Sequence, residues 1–230
     1  MSGCGLRTGR NRRAGPACAA CWLRHAWAGA WAVLLFTLAV APGPALGAEF
    51  SENSAVIDNP WFNVARPGDF LIFKGYGNYA PFVLREYAAA TSHVDGVACL
   101  EIQRMLMPRD NADSAKVFLT YCVAQDTMGN VLALRENDAV FGARDAHMIL
   151  PAVPAQGLEF GRFHDNIKRV ADANATITLA HADKTYGDCL RIEETLKDDH
   201  IIRYHARGVG MVFMGEGDNT FELSYAKRTP

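Results

Sequence analysis

From residue 69 onward the chain divides into short runs in which apolar and polar residues alternate, the period of a strand with one buried face. Twelve such runs follow one another: 69–76, 81–91, 97–105, 115–124, 130–136, 147–152, 158–164, 169–180, 189–196, 200–206, 211–214 and 220–226. Glycine, aspartate and asparagine punctuate nearly every gap, as in "VDG", "TMGN", "YGD" and "GEGDN", and these residues favour tight turns. No stretch keeps a 3.6-residue period for three turns. The best helical candidate, 137–147, is short and broken by Gly142. The pattern predicts a mostly β single domain over 58–230, an antiparallel sheet that is curved or barrel-like. Residues 48–57 read as a disordered or extended segment ahead of it.

Alternation also assigns faces. Ala98, Leu100 and Ile102 share one face, so Cys99 lies with Glu101 and Gln103 on the other. Val117, Leu119, Tyr121 and Val123 form the matching apolar set, which leaves Cys122 with Thr120. A turn near 109–114 would bring Cys99 and Cys122 nearly opposite one another on the more polar side of a hairpin. They are the expected disulfide, with Cys189 as competitor.

In "RYHARGVGMV" (203–212), Ile202, Tyr204 and Ala206 face one way and Arg203, His205 and Arg207 the other. Two guanidiniums and an imidazole on one face can receive a carboxylate or another anion. The plainer reading is a solvated face paired with the acids of 191–199. Gly208 and Gly210 fit a turn between two late strands. In "NPWF" (59–62), Trp61 and Phe62 can close one end of the core, or line a ligand if the sheet is concave. The candidate ligand-binding residues are therefore Arg203, His205, Arg207, Trp61 and Tyr204.

Residues 1–47 differ from the rest. Five arginines are their only charged residues, an apolar run covers 27–41, and "PGPALGA" follows. A positive region, an apolar stretch shorter than a membrane span and small residues at the cleavage positions make an export signal. The expected location is exported, periplasmic or extracellular, with no stable membrane span after cleavage. Without the leader, 18 Lys and Arg face 25 Asp and Glu. The net charge of −7, with no basic run, argues against nucleic acid as a partner.

Catalytic signatures are sparse. There is no G-x-S-x-G elbow, phosphate loop, dinucleotide fingerprint or close metal-ligand spacing, so neither cofactor nor metal is expected. In "AQDTMGNV" (124–131), Asp126, Gly129 and Asn130 read as a tight turn rather than a calcium loop, because no later acidic ligand follows.

The ordered segments "IDNPWFNVARPGDFLIFKG", "VDGVACLEI", "YCVAQDTMGNVLALREND", "MILPAVPAQGLEF", "KTYGDCLRIEET" and "YHARGVGMV" together resemble a family of secreted bacterial proteins without an assigned activity. Its members run N-P-x-F-P-L-x-P-G, G-V, A-Q-D-x-x-G-N-V, G-E and P-A-x-P-x-x-G. A G-x-F/Y-x-D-C-like segment and Y-Y-A-P-G-V-G-L-V complete the series. The match covers about residues 57–225 and implies export and a β fold, but no reaction. Here Val64-Ala65 stands for P-L, Arg135-Glu136 for G-E, and His205-Ala206-Arg207-Gly208 for Y-A-P-G. If that corner shapes a family ligand site, its charge has changed.

The expected function is that of an exported binding or accessory protein, holding a small or lipid-like ligand or a protein partner on a curved sheet. The alternatives are an exported hydrolase using His205 with Glu193 or Asp198, and a structural envelope component.

Overall fold

The structure, a computed structural model, describes residues 48–163, 166–196 and 199–229; the leader expected at 1–47 lies outside them. Thirteen strands follow in chain order. They are β1 (Phe70–Tyr76), β2 (Phe82–Val94), β3 (Val97–Pro108), β4 (Lys116–Gln125), β5 (Val131–Glu136), β6 (Ala139–Val140) and β7 (His147–Leu150). After these come β8 (Glu159–Phe163), β9 (Asn166–Leu179), β10 (Lys184–Leu196), β11 (Asp199–Ala206), β12 (Gly210–Glu216) and β13 (Asn219–Lys227). The short β6 occupies the stretch with the best helical periodicity, which forms a return strand against β5 because Asn137, at φ 49°, turns the chain there.

All the pairings are antiparallel, in the order β6-β5-β4-β3-β2-β1-β13-β12-β11-β10-β9-β8, with β7 on β5. The sheet curls until β7 and β8 approach. A Cβ on Gly161 of β8 would stand 2.5 Å from the Met148 carbonyl of β7, so only glycine fits this seam. No ladder joins β7 to β8 among the described residues.

Because neighbours alternate in direction, the β3–β4 and β10–β11 turns lie at one end of the curled sheet, and the β4–β5 and β11–β12 turns lie at the other. Residues 57–65 cross the second end and close it. Trp61 is 2% exposed and Val64 is equally buried. Asn59 donates through Nδ2 to the carbonyls of Gly129 and Pro151, both at 3.1 Å. Gly208 N–H donates to the Pro60 carbonyl at 2.7 Å. Gly210 lies so close that an added Cβ would be 2.3 Å from that of Asn63, and its φ of +88° also requires glycine.

The main core fills the concave side, with Phe73, Leu84, Leu100, Ile102, Leu190 and Ile192 all buried. A second cluster of Val94, Cys99, Cys122, Ala124 and Leu134 sits on the other face of β2–β5. Residues 48–57 help to cover that face. Phe50 packs on the cluster and bridges to Asp126, Ser54 Oγ donates to the Ala98 carbonyl at 2.7 Å, and Ile57 enters the main core.

The expected Cys99–Cys122 disulfide is not formed; Cys99, Cys122 and Cys189 are free, buried thiols. Cys122 stands opposite Glu101, so Cys99 is its diagonal neighbour. The Ser92 hydroxyl bonds to both sulfurs, at 3.3 and 3.4 Å. The competitor, Cys189, belongs to the main core. No helix among the described residues is long and apolar enough to cross a membrane.

Candidate functional site

Curling the sheet turns a row of charged side chains inward. In β10, Ile192 pairs with Arg203 of β11 and Val170 of β9, while Glu194 pairs with Ile201 and Lys168. One step nearer the open end, Leu196 pairs with Asn166. The period-2 alternation of these strands aims Lys168, Glu194, Arg203 and His205 into one cavity of about 340 Å³. Arg104 of β3, Leu119 and Tyr121 of β4 and Glu136 of β5 form the facing wall, and β7 and β8 close the side.

Most of these charges are neutralised locally. Arg104 Nε meets Glu86 Oε2 at 2.5 Å, and the Tyr121 hydroxyl donates to the same oxygen at 3.0 Å. Arg203 forms an ion pair with Glu194, whose other oxygen accepts from Asn166 Nδ2. His147 Nε2 stands 3.7 Å from Glu136 but brings it no positive charge, because burial and Lys168 hold the imidazole neutral. Lys168 has no carboxylate within ion-pair distance among the described residues. Burial, and then the Arg203 and Arg104 charges, lower its amine to about 7. Two further buried polar atoms, Arg203 Nε and Asn166 Oδ1, have no hydrogen-bond partner there, an uncommon and costly state for a buried polar atom.

His205 is buried at the deep end. Burial and the Arg203, Arg104 and Lys168 charges lower its imidazole to about 3, against the opposing pull of the Trp61 carbonyl. The ring is therefore neutral at ordinary pH. Its Nδ1 lies 3.1 Å from that carbonyl, which can only accept, so Nδ1 carries the proton and Nε2 is left as an acceptor. Burial and Lys168 likewise lower His147 to about 4.

Of the residues picked out by the pattern, Arg203 and His205 line the cavity together. Arg207 does not join them. It lies in the β11–β12 turn, 3.3 Å from Asp188, with its guanidinium 5.2 Å from the Trp61 ring centre. Trp61 belongs to the closure of the deep end, and Tyr204 packs on the opposite face of β11, edge-on to Phe213. Gly208, at φ +69°, sits in the same turn as Arg207.

Asp126, Gly129 and Asn130 form the β4–β5 turn. Asp126 accepts the N–H groups of Met128 and Asn130 at 3.0 and 2.8 Å, and Gly129 has φ +87°. Among the described residues no cluster of three or more His, Cys, Asp or Glu side chains is arranged to hold a metal. Glu193 is engaged by Arg169 and Arg191 and makes no contact with His205. Asp198, the other candidate partner, lies outside the described residues.

Glu194 is one of the acids of 191–199 expected to pair with the face of Arg203, as it does, whereas Lys168, Arg104, Asn166 and Glu136 escape sequence reasoning. Their signal is present but faint: Ile102–Arg104 and Asn166–Lys168–Val170 each place a polar residue in step with buried apolar ones. A second, wider depression of about 490 Å³ lies outside the closed end, between residues 57–69 and 228–229. Its main polar groups bond one another. Asp69 accepts from the backbone of Ala65, Arg66 and Thr229, and Arg228 bonds Asn63 and the Gly208 carbonyl.

Neither a family model nor a curated protein matches the chain. Two solved structures are similar to it at 10% identity and over 74% of its length. One is a candidate exported protein with a YmcC-like fold from Bacteroides fragilis, with a TM-score of 0.43 and all of that chain covered. The other is a candidate lipoprotein from Parabacteroides distasonis, with a TM-score of 0.44 and 99% of that chain covered.

Proposed function

We propose that this is an exported binding protein that holds a small molecule in the cavity of its curled sheet. The observation that carries the reading is Lys168, an amine on the wall of this cavity with no carboxylate within ion-pair distance among the described residues. Folding placed this amine among other cations, and a bound anion supplies the missing counter-charge. The concentration of shifted ionisable groups around the same space points the same way, since such groups gather at functional sites.

The export half of the reading rests on the leader pattern of residues 1–47 and on the motif order that resembles secreted bacterial proteins. A hydrolase built on His205 has less support, because its Nδ1 is held by a backbone carbonyl rather than a carboxylate. Native mass spectrometry of protein recovered from its own exported compartment tests the proposal. A noncovalent added mass that disappears on denaturation is expected. Identical native and denatured masses would overturn it.

A further inference from the structure

The cavity has a polarity gradient. Lys168, Arg104 and Arg203 lie within it, while Leu119, Ile201 and Leu196 line it toward the open end. Leu196, which ends β10, is 38% exposed, although the next inward residue of the strand, Glu194, is buried. Two of the three cations have their own carboxylates. Lys168 has none in range among the described residues. An amine placed among other cations and half removed from water gains most from an anion brought to it. An apolar mouth above a cationic floor adds a second requirement, for hydrocarbon next to that anion.

Resting on the binding reading above, we propose that the ligand is an anionic amphiphile, its carboxylate-like head held by Lys168 Nζ and its hydrocarbon chain lying along Leu119, Ile201 and Leu196 at the open end. The neutral His205 Nε2 can accept from a hydroxyl near the head. Glu194 and Glu136 oppose a second negative charge, so a monoanion fits better than a dianion.

Calorimetric titration of the full chain with octanoate, 1-octanol, octylammonium and acetate separates head from tail. Octanoate is expected to bind at least about tenfold more tightly than any of the other three. Lys168→Met is expected to bring octanoate down to the level of octanol, whereas Lys168→Arg keeps most of the affinity. Arg207→Ala, outside the cavity, leaves it unchanged. Melting curves on each variant establish that it folds, and the Lys168→Arg comparison remains informative if Lys168→Met does not.

Equal binding of octanol and octanoate would overturn the anionic head, and equal binding of acetate would overturn the chain. If mass spectrometry finds a bound molecule while octanoate fails to bind, the amphiphile proposal falls and the binding reading stands. If both are negative, both fall.

Discussion

At Lys168 burial, with the Arg203 and Arg104 charges, pushes an amine from its ordinary 10.5 down to about 7, and the sign of the resulting pH dependence is fixed. Between about 7 and 10.5 the unfolded chain binds a proton that the native chain has released, so stability rises with pH across that window. Below about 7 both states are charged and the cost of burying the charge is fully present. Lys168→Met should therefore unfold at higher urea than the parent at pH 6, by about 2 kcal/mol once water in the cavity is allowed for. That advantage should shrink toward pH 10. His205, lowered to about 3, acts in the same direction at lower pH, because acid below 6.5 protonates the unfolded chain first. His205→Gln should flatten the loss of stability between pH 6.5 and 4, read as urea midpoints across a pH series. A parent curve that is flat over both windows would contradict these assignments.

At the scale of elements, the turns determine where each strand ends. The β11–β12 turn needs glycine at Gly210 twice over, for its φ of +88° and for the space Asn63 occupies. Gly210→Ala should cost about 2–4 kcal/mol, measured by thermal or chemical unfolding. Gly208, with open space around the position of a Cβ, should cost less when changed to alanine.

The same elements show how far the pattern could be read. Period-2 alternation located the strands because each has one face buried against the core. It also put Arg203 and His205 on one face, where the structure keeps them. It could not tell that this face is the inner one, because in a sheet that curls on itself the concave side holds charges as well as apolar residues. Lys168 and Arg104 come from strands seven positions apart in the sheet order, and no local spacing records that meeting. Arg207 illustrates the converse: one residue past the strand the alternation no longer applies, and the side chain turns outward to Asp188. The cysteine faces followed the alternation too, but a shared face does not dictate a bond, and Ser92 bonds to both sulfurs.

At the scale of the whole molecule the two ends have different work. Residues 57–65 close one end with Trp61 and Val64, and the other end remains lined by Leu119, Leu196 and Ile201. The pairing of β1 with β13, which joins Phe70 to Lys227, also bears on how the molecule comes to exist. The first long strand to be made has one of its two neighbours in the last. A ladder between segments so far apart in the chain closes late and slowly, in milliseconds to seconds rather than microseconds. Until then the plug and β1 form an unfinished rim, with a free strand edge open to other chains. Deleting residues 219–230 should leave a chain that aggregates on dilution from urea, while the full chain refolds in a slow phase visible by stopped-flow tryptophan fluorescence. A protein assembled in this order is vulnerable in its youth: for as long as its last strand is missing, its chaperones and proteases meet an incomplete ring.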